Sequence, residues 1–149
     1  MFRILVLTLF ALAALAGGAN TTADSGVVHF DAAKVAAGFA KGMPLIETST
    51  YKVHASRREG PGVVEVHTKD IDVFYVLEGS ATVVTGGKMI GGKKIAEDEY
   101  RGTDVQNGQV RQVKKGDVVV VPNGVPHWFK EVKGPMTYFA VKVPAGGSK

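Results

Sequence analysis

From Pro44 onward, short apolar segments alternate with turn residues at regular intervals, and this spacing limits the fold more than any other feature of the chain. Short segments of this kind predict an all-β domain rather than a set of helices. The predicted strands occupy residues 47–57, 62–68, 72–78, 81–85, 110–113, 117–121, 126–130 and 136–143. An antiparallel set of this size favours a double-sheet β-barrel or jelly roll, which we place at residues 47–149.

One predicted strand differs from the others. The segment DVVVVP at 117–122 shows no alternation of apolar and polar residues. An uninterrupted apolar run is typical of a strand that is covered on both sides. We therefore expect the 117–121 strand to be buried on both of its faces.

The connection at residues 86–109, GGKMIGGKKIAEDEYRGTDVQNGQ, is long and rich in glycine and charge. Long connections inside a compact domain are usually either functional or disordered. We predict a surface loop here, with room for a short hairpin, that could cover the mouth of the barrel. Its few apolar anchors also predict that residues 88–107 are more mobile than the barrel.

A single helix is predicted before the strands, within a leader that spans residues 20–46. In FDAAKVAAGFAKG, residues 30–42, apolar side chains recur at helical spacing. Asp31 can cap the start of this helix and Gly42 can end it. The helix is short, so we expect it to pack across the outside of the larger β domain.

The N-terminus has the pattern of a secretory signal peptide, residues 1–19. Arg3 precedes an uncharged apolar run at 4–16, and small residues follow it. Cleavage is expected after Ala16 or Ala19, which predicts a periplasmic or extracellular protein with no membrane attachment after cleavage. The alternative is a membrane anchor, although the apolar run is short for a bilayer span.

Composition excludes several classes of site. The chain has no cysteine, which rules out disulfides, thiolate metal ligands, cysteine nucleophiles and a lipid attached to a cysteine. Any metal must be held by histidine, carboxylate or water. The formal charge of +4 falls to +3 when Arg3 is removed, and this mild excess does not indicate a nucleic-acid partner.

Polar residues that could form a site are concentrated near VEVHTKDIDVFYVLEGS, residues 64–80. Glu65 and His67 share one face of a strand because side chains repeat every two residues. Asp72 begins the next strand and can also face inward, and His127 follows a distant Pro-Gly turn. These four side chains can therefore converge inside one barrel.

Two motifs in this region resemble those of the cupin superfamily, over roughly residues 47–143. The second motif, GDVVVVPNGVPHWFKE, keeps the family spacing from Gly116 to His127, with Glu131 where the family has Asn. In the first motif, DVFYVLEG keeps the frame that ends at Gly79. His67 matches the second family histidine, whereas Glu65 replaces the first histidine and Asp72 replaces the glutamate.

The resemblance implies a cupin-type barrel and, in these positions, a divalent metal ion. Glu65, His67 and His127 are expected to be the inner ligands, because two histidines and one carboxylate suit Fe(II), Mn(II) or Zn(II). Asp72 is one methylene shorter than glutamate, about 1.5 Å, so we expect it beside the ligands. The alternative is a barrel that lost its metal, with Glu65 paired to a base such as Arg57 or Arg58.

The expected function is the binding of a small organic molecule in the barrel, with His54, Phe74 and Phe129 lining the pocket. By resemblance, the protein is expected to be a metal-dependent dioxygenase or isomerase, and a homodimer. A non-catalytic, metal-free binding or sensing barrel is the alternative. A structural partner protein would instead show an occluded pocket and a large exposed apolar patch. The sequence identifies no catalytic residue.

Overall fold

The computed structural model describes residues 26–146, in which one helix precedes eleven strands. The predicted signal peptide, residues 1–19, and the first part of the predicted leader lie outside the described residues. The elements are α1 (Ala32–Lys41), β1 (Met43–Glu47), β2 (Lys52–Arg58), β3 (Val64–His67), β4 (Asp70–Thr85), β5 (Lys88–Ile90), β6 (Lys93–Ala96), β7 (Glu99–Gly102), β8 (Asp104–Gln106), β9 (Gln109–Lys114), β10 (Val118–Val121) and β11 (His127–Pro144).

The strands form one large curled antiparallel sheet and a separate β5–β8 pair. Strand β11 pairs with β2, β3 and β4, and this shared strand closes the sheet around an interior. Strand β4 in turn pairs with β10 along its first half and with β9 along its second half. The prediction of an all-β antiparallel domain with a short N-terminal helix is confirmed.

Helix α1 begins and ends at the predicted residues. The backbone N–H of Lys34 donates to Asp31 Oδ1 at 2.7 Å, and Gly42 ends the helix with a left-handed φ of 64°. The helix packs on the outer face of the sheet, where Phe39 meets Phe139 edge-on at 4.9 Å between ring centroids. Gly38 allows this close approach, because a Cβ at that position would lie 3.0 Å from the Cβ of Ala55.

Several predicted strand boundaries were wrong. The single strand expected at 47–57 is the hairpin β1–β2, so the sheet begins at residue 43, inside the predicted leader. Conversely, the strands expected at 72–78 and 81–85 form one strand, β4, because Gly79 bends the chain at φ 81° without ending the pairing. The strands expected at 126–130 and 136–143 likewise join as β11, with bulges between them.

The expectation that the 117–121 strand is buried on both faces was also wrong. Val118 and Val120 are each 59% exposed, whereas Val121 is buried. Strand β10 pairs only with β4, so it forms an edge, and no layer of the described chain covers its outer face. An apolar run shows what a strand could bury, but the neighbouring elements decide what is covered.

The connection at 86–109 is not an unstructured loop. It contains β5, β6, β7 and β8, and β7 pairs along the full length of β3. Gly102 makes this packing close, because a Cβ there would lie 2.5 Å from Cγ of Met89. Strand pairing therefore gives this segment an ordered path that its glycine content did not predict.

The core lies inside the curled sheet. Its buried side chains come mainly from β4 and β11, with contributions from β9 and β10; they are Phe74, Val76, Ala81, Val83, Val113, Val121, Phe129, Met136, Tyr138 and Ala140. Even-numbered residues of β2, the second half of β11 and the first half of β4 share the inner face, as the strand registers show. In the first half of β11 the odd-numbered His127 and Phe129 are buried instead, because bulges between the two halves shift the register. No helix within residues 26–146 is long and apolar enough to cross a membrane.

Candidate metal centre and adjoining cavity

Three side chains with metal-binding atoms meet at one end of the barrel interior. His67 ends β3, Asp72 lies near the start of β4, and His127 begins β11. One ligand atom from each residue lies within 4.8 Å of the others. The Pro-Gly turn before His127 is fixed over β3, because the N–H of Gly124 donates to the His67 carbonyl at 2.7 Å.

His127 has the arrangement expected of a metal ligand. Its side chain is buried, and its Nδ1–H donates to the Val125 carbonyl at 3.2 Å. This contact leaves the lone pair on Nε2, which points into the cluster and has no hydrogen-bond partner. Burial lowers the pKa of His127, against the opposing charge of Asp72, and so favours the neutral form that binds metals.

Asp72 is the centre of the cluster. Its Oδ2 lies 2.5 Å from Nδ1 of His67 and 3.5 Å from Nε2 of His127. The side chain is 1% exposed, and this burial by itself would raise its pKa. The hydrogen bond from His67 and the nearby charge of Lys142 outweigh burial and hold the pKa of Asp72 below its ordinary value.

The structure places the carboxylate of Asp72 inside the cluster. The path of β4 brings the shorter carboxylate into contact with His67, so the missing methylene leaves no gap. Glu65, expected to be an inner ligand, instead lies at the border of the cluster, with Oε2 3.9 Å from Nε2 of His127. His67, Asp72 and His127 therefore form the compact group, and Glu65 stands beside it.

The alternative role for Glu65, a pair with Arg57 or Arg58, is not observed. Arg57 binds Glu59 at 2.7 Å on the outer face of β2. Arg58 points inward and donates from Nε to the hydroxyl of Tyr138 at 2.9 Å. The carboxylate of Glu65 is left facing the interior, near His127.

Lys142 enters the same cluster, and the sequence analysis missed it. Its ammonium lies 2.5 Å from Oδ1 of Asp72, and 3.2 and 3.4 Å from the two ring nitrogens of His67. The register of β11 against β4 places Lys142 directly across from Asp72. The sequence did contain a signal for Lys142. In a strand, side chains two and four residues apart lie on the same face, so Lys142 shares a face with the apolar residues Tyr138 and Ala140.

A cavity of about 160 Å³ adjoins the cluster on the inner face of the sheet. His54, Phe74 and Phe129, the residues predicted to line a pocket, all line it, together with Arg58, Glu65, Tyr138 and Lys142 among others. A second recess of about 340 Å³ leads outward and shares His54 and Lys142 with the first. Phe74 connects the cavity to the cluster, with its ring centroid 5.9 Å from that of His127.

A larger groove, of about 510 Å³, runs along β10. It is lined by residues such as Val118, Val120 and Arg111, and none of the three clustered ligands reaches it. His67 lines the 340 Å³ recess, and Glu65 and Lys142, which adjoin the cluster, line the 160 Å³ cavity, so we assign the candidate site there.

Comparison with known proteins agrees with this architecture. The Cupin family model matches residues 24–149 of the chain. A search of proteins with curated functions found no significant sequence match. Solved structures with the same fold share little sequence with this chain, so their likeness concerns the fold alone.

BH2720 of Bacillus halodurans superposes with a TM-score of 0.57 at 13% identity, over 85% of this chain and 87% of its own. A candidate mannose-6-phosphate isomerase of Ralstonia eutropha JMP134 has a TM-score of 0.51 at 21% identity, over 70% and 83%. Hydroquinone 1,2-dioxygenase of Sphingomonas sp. TTNP3, with 4-hydroxybenzoate bound, has a TM-score of 0.50 at 14% identity, over 72% and 66%. With the family match over most of its length and an antiparallel barrel that brings both motifs together, the chain belongs to the cupin family.

Proposed function

We propose that this cupin binds a small organic molecule beside a divalent metal ion held by His67, Asp72 and His127. The observation that carries the proposal is the buried Nε2 of His127, which has a fixed tautomer and no hydrogen-bond partner. A buried polar atom without a partner is costly unless something binds it. Two imidazoles and a carboxylate are a suitable donor set for Fe(II), Mn(II) or Zn(II).

The finer proposal is a metal-dependent enzyme, either a dioxygenase or an isomerase. Structural neighbours support both reaction classes, since they include a hydroquinone 1,2-dioxygenase and a candidate mannose-6-phosphate isomerase. When bound, the metal would supply a Lewis acid or a redox centre next to the ligand. Phe74 and Phe129 would exclude water from one side of the ligand, and Glu65 would present a carboxylate that can accept a proton near His127.

Metal content tests the site directly. The protein is purified without a His tag, treated with chelator, and reconstituted anaerobically with Fe(II), Mn(II) or Zn(II). We expect near one equivalent per chain in the wild type and a loss of bound metal in His67→Ala and in His127→Ala. His54→Ala is the matched control, because His54 lines the cavity but pairs with Glu47 outside the cluster.

The same measurement can overturn the proposal. A wild-type protein that binds none of the three metals stoichiometrically would remove the metal centre. Retention of metal by His127→Ala would show that the ion binds elsewhere. Asp72→Asn should weaken binding by about 10- to 100-fold if Asp72 acts through His67, and abolish it if Asp72 binds the metal itself.

A second candidate function, a metal-free binding barrel, is favoured by Lys142. Its ammonium already neutralises Asp72 at 2.5 Å, so the cluster has a counter-charge without any ion. Lys142 contacts Oδ1 of Asp72 and the two histidines face Oδ2, so a metal bound to Oδ2 would lie close to this ammonium and be repelled by it. Lys142→Met should therefore raise metal affinity if the metal function is correct. If neither wild type nor Lys142→Met binds metal, the metal-free function stands.

We also propose export, as the N-terminal pattern predicts, to the periplasm or the medium. N-terminal sequencing of material recovered from these compartments should find Gly17 or Asn20 as the first residue. An intact Met1 would contradict it. A homodimer stays a proposal from family resemblance, and sedimentation of the mature protein tests it.

A further inference from the structure

Arg58 is a basic side chain that faces the interior cavity and takes no part in the metal cluster. Its Nε–H donates to the Tyr138 hydroxyl at 2.9 Å, and its guanidinium carbon lies 4.6 Å from the centre of the Phe129 ring. Tyr138 contacts the Nε edge of the planar guanidinium, and Phe129 covers one of its faces. The remaining edge carries the two terminal nitrogens, which are the donors that bind a carboxylate in a fork.

No carboxylate among residues 26–146 pairs with Arg58. The neighbouring Arg57, on the opposite face of the same strand, binds Glu59 at 2.7 Å. Glu65 lines the same cavity as Arg58 but lies outside ion-pair distance of it. Arg58 is therefore a positioned, half-buried cation whose only described hydrogen-bond partner is a neutral hydroxyl, Tyr138.

The cavity restricts what Arg58 can bind. At about 160 Å³ it is too small for a nucleotide or an oligosaccharide and suits a molecule of about one ring. Phe74, Phe129 and Tyr138 form aromatic walls, with Phe74 edge-on to both of the other rings at 5.5 and 5.6 Å. The other cation of the lining, Lys142, is already paired with Asp72, and Glu65 adds a negative charge. This balance favours a monoanion over a dianion such as phosphate.

From these observations we infer that Arg58 binds the carboxylate of a small aromatic acid whose ring contacts Phe74 and the edge of Phe129, next to the metal cluster. This assignment rests on the small-molecule cavity of the proposed function and not on its metal. The carboxylate would meet the two free terminal nitrogens of Arg58 in a bidentate contact. The ring would replace water along the aromatic walls.

Benzoate, with benzamide as its uncharged isostere, tests the assignment by titration calorimetry or by chemical-shift perturbation. Both probes are titrated to millimolar concentration into chelator-treated protein and into zinc-loaded protein. Wild type is expected to bind benzoate at least about tenfold more tightly than benzamide, since a charge-assisted pair is lost in the amide. Arg58→Gln should remove this preference, whereas Arg57→Gln should keep it.

Tyr138→Phe gives a second variant that keeps both arginines but frees Arg58 from its hydroxyl partner. Its benzoate affinity should fall several-fold with little change for benzamide, while near-ultraviolet circular dichroism shows that the fold is retained. Equal binding of benzoate and benzamide by wild type, or no benzoate binding in either metal state, would overturn the assignment. If the protein binds benzoate but not zinc, only the proposed metal centre is wrong. If it binds zinc but not benzoate, only the proposed role of Arg58 is wrong.

Discussion

Replacing Lys142 with methionine isolates the charge balance of the candidate site. Methionine keeps much of the side-chain length but removes the ammonium that lies 2.5 Å from Asp72. Asp72, whose side chain is 1% exposed, would then have His67 as its remaining side-chain hydrogen-bond partner in the described chain. We expect the metal-free variant to be clearly less stable than wild type.

The size of the loss follows from burial. Removing one partner of a buried ion pair costs about 3–5 kcal/mol, because the other charge is left uncompensated. The Lys142 side chain keeps 15% exposure and His67 still contacts Asp72, so we expect the lower end, about 3 kcal/mol. In a domain of this size that loss lowers the melting temperature by roughly 10 °C.

Lys52→Met is the matched control. Lys52 lies directly across from Lys142 in the β2–β11 register and also binds an aspartate, Asp70, at 2.6 Å. Its side chain is 36% exposed, so its loss should cost no more than about 1 kcal/mol. The contrast between the two variants therefore measures the effect of burial.

The assay is urea unfolding of chelator-treated protein for wild type, both lysine variants, Asp72→Asn and the Asp72→Asn/Lys142→Met double variant. With asparagine at position 72, the loss of Lys142 should be much cheaper, because no buried charge remains. Zinc should restore more stability to Lys142→Met than to wild type if it binds Asp72. Equal losses for Lys142→Met and Lys52→Met, or an unchanged cost in the Asp72→Asn background, would refute this account of the cluster.

Three further predictions concern the rest of the barrel. Gly79→Ala should lower the free energy of unfolding by more than about 2 kcal/mol in urea, because the φ of Gly79 is 81° and a Cβ would lie 2.6 Å from the Pro135 carbonyl oxygen. Gly134→Ala is the control, since Gly134 also has a positive φ but has open space around it, and its loss should be smaller. Equal losses would contradict the steric argument. Burial raises the pKa of Tyr138 above 10.0 despite the nearby charge of Arg58. The unfolded chain therefore loses the hydroxyl proton at a lower pH than the folded chain, and stability should fall as pH rises past about 10. Tyr138→Phe should reduce that fall, and an unchanged pH profile would contradict this prediction. Amides of residues 99–102 should exchange with solvent more slowly than those of residues 93–96, since β7 is paired on both sides and β6 on one; equally fast exchange in both would favour the mobile loop expected from the sequence.

The helix and the approximate places of most barrel strands could be predicted because their signals are local, whereas β5 to β8 could not. Asp31 and Gly42 mark the ends of α1 through contacts within one turn of chain. The two-residue repeat of a strand was enough to place Glu65 and His67 on one face, and the resemblance of the segment from Gly116 to the second cupin motif indicated His127. The reach of Asp72 could not be predicted, because a difference of one methylene is smaller than the shifts that a curled sheet makes in its backbone.

The sequence by itself determined the fold class, the short helix, and which polar residues could meet inside the barrel, since backbone preferences and side-chain alternation act over a few neighbouring residues. Only the tertiary structure decided which charges face one another across 70 residues of chain, as Lys142 and Asp72 do. It also decided that β10 is an exposed edge and that β7 completes the sheet beside β3. The physical reason is that strand register and layer coverage depend on hydrogen bonds and packing between distant segments, which no local pattern of residues specifies.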